Sequence, residues 1–163
     1  MDAGRMKKFV VFGVAAVAVA GGAFWFISSK GVKDSTGPSA ADIVAGQTLY
    51  VESCASCHGV GLKGQPDWQT PGEDGILPAP PHDFSGHTWH HSDSVLFDYT
   101  KLGGKGALAK MGVDDFESGM PAFEDVLSDQ DIWNVLGYIK STWPDQARDS
   151  QSKRSAAEAQ TGG

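Results

Sequence analysis

The stretch Cys54-Ala55-Ser56-Cys57-His58 decides the fold of this chain. Its two cysteines stand three positions apart, and a histidine follows the second one directly. Two thiols at this spacing can each add to a vinyl group of haem, and the adjacent imidazole is then placed to bind the iron. The chain has only these two cysteines. The motif therefore predicts one covalent haem c per chain, bound by Cys54, Cys57 and His58.

Three other kinds of site use paired cysteines. A redox dithiol favours a thioredoxin-like strand–helix context, which this sequence lacks. A structural zinc site needs a second pair of ligands at a suitable spacing. A plain disulfide would leave His58 without a role. Because the motif follows a predicted helix in an exported domain, haem attachment is the favoured interpretation.

A sixth iron ligand is predicted at Met120. The segment Ser118-Gly119-Met120-Pro121-Ala122-Phe123 places glycine before this methionine and proline after it, which predicts a loop that holds the thioether in one place. Thioether ligation favours ferrous iron and raises the reduction potential. Met111 is the rival ligand, but it lies in a predicted helix without such a loop.

The N-terminal segment predicts a membrane anchor. Residues 9–27 form an uncharged run of nineteen residues, which at about 1.5 Å per residue roughly matches a hydrocarbon core of ~30 Å. Arg5, Lys7 and Lys8 precede the run, so residues 1–8 are expected in the cytoplasm. A cleaved signal peptide ending near Ala20 is the alternative. Both interpretations export the rest of the chain, and the anchored form lies in the inner membrane as a single-pass protein with its haem domain on the periplasmic side.

The exported part divides by composition into three segments. Residues 28–41 are small and polar and predict a flexible linker. Residues 42–144 carry the haem motif and the helical patterns of the predicted all-α domain. Residues 145–163 are polar and predict a disordered tail.

Within the domain, the first helix is expected from Asp42 to the haem motif. Residues 59–91 are rich in Gly, Pro, Asp and His and predict a long loop. A middle helix begins after Ser92 or Asp93, ends at Gly103-Gly104, and a short helix over Ala107–Met111 follows. The last helix begins with a capping box at Ser128 and ends before Pro144.

The ordered set of motifs resembles the class I c-type cytochromes of the bacterial membrane-anchored, mono-haem type. The resemblance covers residues 42–143 and rests on Gly46 and Tyr50 before the haem motif, on the Gly119–Phe123 segment, and on Tyr138–Lys140 in the final helix. It implies an all-α, cytochrome c-like domain wrapped around one covalent haem, preceded here by one transmembrane helix. It also implies that the first and last helices cross closely at Gly46.

Two further roles are implied by the resemblance alone. A proline after the haem motif orients the iron-binding histidine in this family, and Pro78, Pro80 and Pro81 are the candidates here. A tryptophan before the middle helix often contacts a haem propionate, and Trp89 is similarly placed.

Four of the five histidines lie in the loop before the middle helix. They are His82, His87, His90 and His91. They could bind a second metal such as copper, or one of them could replace Met120 on the iron. Because they lack thiolate or carboxylate partners at a set spacing, polar loop residues at the haem rim are the favoured interpretation.

The charge distribution predicts a basic partner. The chain has a net charge of −7 although its first 33 residues are cationic. This argues against nucleic acid, whose phosphates require Lys and Arg. Seven acids bracket Met120 without an intervening Lys or Arg: Asp114, Asp115, Glu124, Asp125, Glu117, Asp129 and Asp131. We expect an acidic rim that steers a redox partner with a basic docking patch.

These features predict an electron carrier and not an enzyme, because both axial positions of the iron are filled by protein. The resemblance implies respiratory partners, a quinol-oxidising complex as donor and a terminal oxidase as acceptor. Two alternatives stay open. One is a cytochrome subunit permanently docked to a dehydrogenase or oxidase, and the other is a haem sensor or metal-handling protein that uses the histidine loop.

Overall fold

The structure is a computed structural model that describes residues 40–161, and within this range it contains helices and no strands. The elements are α1 (Ala40–Ser53), α2 (Ala55–His58), a 3₁₀ turn (Thr88–His90), α3 (Asp93–Lys110), α4 (Asp129–Ser141) and α5 (Asp145–Thr161). The predicted all-α domain is confirmed. The predicted cytoplasmic segment 1–8, the anchor over 9–27 and the linker up to residue 39 lie outside the described residues. Between residues 40 and 161, no helix combines the length and apolar character of a membrane span.

The packing of α1 against α4 forms the centre of the domain. A Cβ atom on Gly46 of α1 would overlap the backbone carbonyl of Asn134 in α4. The two helices therefore meet backbone to backbone at this point, which confirms the close crossing expected at Gly46. α1 begins at Ala40, two residues before the predicted start, because two alanines with high helix propensity precede Asp42.

The start of α4 was correctly predicted in its details. The Ser128 side chain accepts a hydrogen bond from the backbone N–H of Asp131, and the Asp131 carboxylate accepts one from the Ser128 N–H. This reciprocal pairing satisfies two N–H groups that the helix itself leaves free. The apolar face that follows is buried: Ile132, Val135, Leu136 and Ile139.

α3 combines the predicted middle helix and the predicted short helix. The Ser92 side chain caps its start by accepting from the N–H of Val95. The helix breaks at Gly103, where φ is 72° and ψ is 168°, and it resumes from Gly104 to Lys110. The predicted helix end at Gly103-Gly104 is therefore a kink within one continuous run.

The prediction of a disordered tail over 145–163 was wrong for most of that segment, because Asp145–Thr161 forms α5. Ala147 and Gln151 are fully buried in the domain. The Gln151 amide donates to the Asp93 carboxylate at 2.7 Å, and the N–H of Asp93 donates to the Ser155 hydroxyl at 3.0 Å. Polar side chains thus dock this helix against the start of α3, which composition alone does not reveal.

Residues 59–91 form the predicted long loop, with the 3₁₀ turn as its only helical element. The backbone of this loop is held by its own hydrogen bonds. The Gly64 N–H donates to the carbonyl of His58 at 2.8 Å, and the Gln65 N–H donates to Ala79 at 2.8 Å. The loop thereby returns the segment around Pro80 to the haem motif.

Candidate functional site

The two cysteines of the motif lie at the junction of α1 and α2. Cys54 joins the helices, and both cysteines are free thiols, with Cys54 half-buried and Cys57 exposed. Burial and the nearby Cys57 raise the pKa of Cys54 to about 11. A redox dithiol requires the opposite shift, a lowered thiol pKa. The raised pKa of Cys54 therefore gives no support to a redox dithiol.

The His58 imidazole is buried and oriented by one hydrogen bond. Its Nδ1 atom lies 2.9 Å from the carbonyl oxygen of Pro80. Because a carbonyl only accepts, Nδ1 carries the proton and Nε2 keeps its lone pair for a metal. Burial lowers the pKa of His58, although the bond to Pro80 opposes that shift. Of the three candidate prolines, Pro80 is the one whose carbonyl orients the histidine.

Gly64 allows the Pro80 segment to approach. Its φ is +66°, and a Cβ atom there would lie 2.6 Å from the Ala79 oxygen and from the Pro81 nitrogen. The amide of Gln65 adds a second fixing point, since its Oε1 accepts from the N–H of Ala79 at 2.8 Å. The segment that carries the Pro80 carbonyl is therefore fixed through Ala79.

The loop that carries Met120 is fixed against the kink in α3. The Met120 carbonyl accepts from the N–H of Gly104 at 3.1 Å, and its own N–H donates to the Ser118 hydroxyl at 3.2 Å. The side chain of Met120 is half-buried, whereas that of Met111 is 50% exposed at the end of α3. Met120 thus lies on a fixed loop and Met111 at an exposed helix end, and the role of Met120 as sixth ligand stays a prediction.

The four loop histidines pack on different aromatic partners, and the rings of His87 and His91 also contact each other, with centroids 5.3 Å apart. The His82 ring packs on the ring of His58, His87 stacks on Trp68, and His90 packs on Trp89. In the part of the chain that the structure describes, no group of three or more His, Cys, Asp or Glu side chains could hold a metal ion. The predicted alternative of a second metal site therefore finds no ligand set here.

The contact of His82 with His58 is the feature of the site that sequence reasoning missed. The two ring centroids are 3.9 Å apart. Burial, together with the neighbouring His58 and His87, holds the pKa of His82 well below its ordinary value. Its position two residues after Pro80 was the available signal, because the proline that orients an iron-binding histidine brings its neighbours to the same place.

The Trp89 indole makes its contacts within the loop, and the propionate contact that the resemblance implied stays a prediction. Its indole N–H donates to the carbonyl of Gly86 at 3.1 Å, within the same turn of the loop. Its ring stacks on Phe84, with centroids 5.4 Å apart. The indole N–H thus closes this turn of the loop.

The acidic run around Met120 is partly neutralised by α3. Lys101 pairs with Asp129 and Lys105 pairs with Glu117, each at 2.7 Å, and Asp131 is used in the helix cap. The remaining four acids are exposed: Asp114, Asp115, Glu124 and Asp125. A negative surface therefore remains on both sides of Met120 along the chain.

Taken together, these donors fit a covalent haem. The two thiols are free, Nε2 of the buried imidazole is left for iron, and a thioether sulfur sits on a fixed loop. This is the ligand chemistry that the sequence predicted, and the described loop supplies the hydrogen bond that orients the imidazole.

Comparison with known proteins agrees with this site. The family model for cytochrome c matches residues 43–143. The chain is also similar to cytochrome c-554(547) of Halothiobacillus neapolitanus, with 35% identity over 101 residues that cover 61% of this chain and 96% of that protein. No solved structure matches the chain significantly. The matched region contains the haem motif and Met120, so the chain belongs to the cytochrome c family, whose members transfer electrons through covalently bound haem c.

Proposed function

We propose that this protein is a membrane-tethered electron carrier whose single haem is attached to Cys54 and Cys57 and ligated by His58 and Met120. The observation that carries the proposal is the 2.9 Å contact between His58 Nδ1 and the Pro80 carbonyl. This hydrogen bond fixes the tautomer that leaves Nε2 free for iron. When bound, the haem supplies a metal centre that takes up and releases one electron.

The ligand set supports electron transfer over catalysis. With His58 on one side of the iron and Met120 on the other, a substrate has no open coordination position. Both ligands are held by the backbone, His58 through Pro80 and Met120 through Gly104. Rigid ligands keep the site similar in both oxidation states, which limits the reorganisation that each transfer requires.

The proposed location is the periplasmic face of the inner membrane. The uncharged run over 9–27 and the cationic residues before it support a single-pass anchor with the haem domain exported. A tether raises the effective concentration of the carrier near membrane complexes. A quinol-oxidising complex as donor and a terminal oxidase as acceptor suit a carrier in that position.

A basic docking patch on the redox partner is supported by the four exposed acids defined above. No lysine or arginine occurs between Met111 and Ile139 in the sequence, and the α3 lysines that reach this region are used in ion pairs. Complementary charges of this kind mainly accelerate and orient the encounter of two proteins.

The test is to express the full chain in a host that matures exported cytochromes and to isolate its membranes. We expect the red protein to stay in the membrane pellet after alkaline washing and to keep its pigment in acidified organic solvent. The oxidised protein should show the far-red absorption band of methionine-ligated ferric haem. Met120→Ala should abolish this band.

Met111→Ala is the matched control, because it removes the same side chain at the exposed end of α3. It should leave the far-red band intact. Pigment lost to the solvent would contradict covalent attachment, and a band lost in the Met111 variant alone would contradict the ligand assignment. Release of the protein by the alkaline wash would contradict the membrane tether.

A further inference from the structure

The imidazole of His82 packs against the imidazole of His58. The ring centroids are 3.9 Å apart and the planes are inclined by 42°. A contact this close restricts how far either ring can turn, since protein interiors are packed at crystal-like density.

His82 is itself held in place by three separate hydrogen bonds. Its backbone N–H donates to the carbonyl of Leu62 at 2.8 Å, and its carbonyl accepts from the indole N–H of Trp143 at 2.7 Å. Its side-chain Nδ1 lies 3.2 Å from the hydroxyl of Thr88. Leu62, Thr88 and Trp143 are all buried. The backbone of His82 is therefore fixed at two points, and its ring is fixed by the bond to Thr88.

The direction of the hydrogen bond to Thr88 follows from its partners. The Thr88 hydroxyl donates its single proton to the carbonyl of Pro81 at 3.2 Å. It must therefore accept from the Nδ1–H of His82. The Pro80 carbonyl thus holds the His58 imidazole. The Pro81 carbonyl orients the Thr88 hydroxyl, which in turn holds the His82 imidazole.

One hydrogen bond cannot fix the plane of a ring. The bond from His58 Nδ1 to Pro80 constrains one edge of the imidazole. Changes in χ2 can still tilt the ring plane within the range of angles that a hydrogen bond allows. A side chain against the face of the ring removes this remaining freedom. His82 supplies such a contact, and it comes from the same short segment as the Pro80 carbonyl.

We propose that His82 is a positioning residue that fixes the rotation of the His58 imidazole plane. The inference rests on the proposed role of His58 as an iron ligand. Groups in contact with a metal ligand set its orientation and thereby tune the metal. The direction of an axial imidazole plane determines how unpaired electron density is distributed over ferric haem, and this distribution can be measured directly.

The experiment compares wild type, His82→Ala and His82→Phe as full-length, haem-loaded proteins. The readouts are the haem methyl proton shifts of the oxidised form and its midpoint potential. We expect His82→Ala to change the spread of the four methyl shifts or to give more than one set, and to shift the potential. His82→Phe keeps an aromatic ring against His58 but loses the bond to Thr88. It should give a single set of shifts that lies between those of wild type and His82→Ala.

His90→Ala is the matched control, because His90 lies in the same loop but is exposed and packs on Trp89. It should leave the methyl shifts and the potential unchanged. Thr88→Val removes the hydroxyl that anchors the His82 ring at nearly constant volume, and it should reproduce part of the His82→Ala pattern. If His82→Ala fails to mature, the methyl shifts and potentials of Thr88→Val and His82→Phe test the role of His82 instead.

The proposal is overturned if the variants lose thermal stability while their methyl shifts and potential stay at the wild-type values. That result would make His82 a packing residue only. It is distinct from failure of the proposed function, which would show in the wild-type protein as missing covalent haem or missing methionine ligation.

Discussion

Gly103 connects a single backbone conformation to the position of Met120. Its φ of 72° and ψ of 168° lie in a region that is open essentially to glycine alone. The break in α3 leaves the carbonyl of Lys101 free to accept from the N–H groups of Phe123 and Glu124, each at 3.1 Å. The methionine loop thus uses backbone groups that an unbroken helix would have used internally.

We predict that Gly103→Ala displaces the methionine loop. The new Cβ would lie 2.7 Å from the Ala122 nitrogen and 2.9 Å from the Met120 oxygen, in addition to a backbone strain of about 1–3 kcal/mol. The far-red band of the oxidised protein should weaken or disappear, and the free energy of unfolding should fall. Absorption spectra and denaturant titrations measure the two effects.

Gly112→Ala separates the strain from the collision. Gly112 also has a positive φ, of +82°, but nothing lies within 4 Å of the Cβ it would gain. This variant should lose stability through strain and keep the far-red band. Equal spectra for the two variants would show that the collision at Gly103 does not control Met120.

At the scale of whole helices, the sequence predicted those elements whose signals are local. The capping box at Ser128 and the apolar spacing after it define α4, and both are interactions within a few residues. The Gly103-Gly104 pair also predicted the break in α3, because the backbone conformation of glycine is a property of the residue itself. Gly46 was correctly assigned to a close crossing because the family resemblance named the partner helix.

α5 and His82 could not be predicted in this way because their partners are far away in the sequence. The polar side of α5 that docks is defined by Asp93, about sixty positions earlier. The Gln151 amide donates to the Asp93 carboxylate, and the Ser155 hydroxyl accepts from the Asp93 N–H. The composition of α5 has no apolar stripe, so the helix was taken for a disordered tail. In the sequence, nothing distinguishes His82 from the other loop histidines. Its contact with His58 depends on the path of the loop backbone.

We predict that the buried amide of Gln151 is needed to dock α5. Gln151→Ala removes the hydrogen bonds to Asp93 and to the His91 carbonyl, and a bond to a charged group contributes about 1.5–3 kcal/mol. The Oε1 atom of this side chain is buried without a partner in the described part of the chain, which offsets some of that gain. A net loss of about 1–2 kcal/mol is therefore expected.

Gln160→Ala provides the matched control, since it removes the same side chain from an exposed position of the same helix. Its effect should stay within about 0.5 kcal/mol. Hydrogen exchange should also show that the amides of α5 lose protection in the Gln151 variant. If the two variants unfold alike and α5 exchanges freely in wild type, the docked helix is contradicted.

At the scale of the whole molecule, the proposed encounter with a basic partner depends on the charge that ion pairs leave uncompensated. Of the basic residues between 40 and 161, six lie within ion-pair distance of a carboxylate. The excess of acids in a chain of net charge −7 therefore remains largely unpaired. Exposed charges act over a Debye length of about 8–10 Å at physiological salt. The acids nearest the exposed edge of the haem should therefore affect the rate of electron transfer most.

We predict that the acids beside Met120 accelerate electron transfer with cationic reagents. The probe is the hexaammineruthenium(II) cation, which reduces the haem without a specific docking site. Its second-order rate constant should fall as ionic strength rises. In the double variant Glu124→Gln, Asp125→Asn, the rate at low salt should be several-fold lower and the slope with salt shallower.

The matched control is Asp145→Asn combined with Asp149→Asn, which changes the net charge equally but at exposed positions on α5. The ion pair between Asp145 and Arg148 lies at the surface. Removal of the Asp145 charge should therefore have little effect on stability. If the reacting edge lies beside Met120, the α5 variant should retain most of the wild-type rate and salt slope. Equal slowing by both double variants would show that the total charge steers the encounter and that the acidic rim does not. A wild-type rate that does not depend on ionic strength would contradict electrostatic steering altogether.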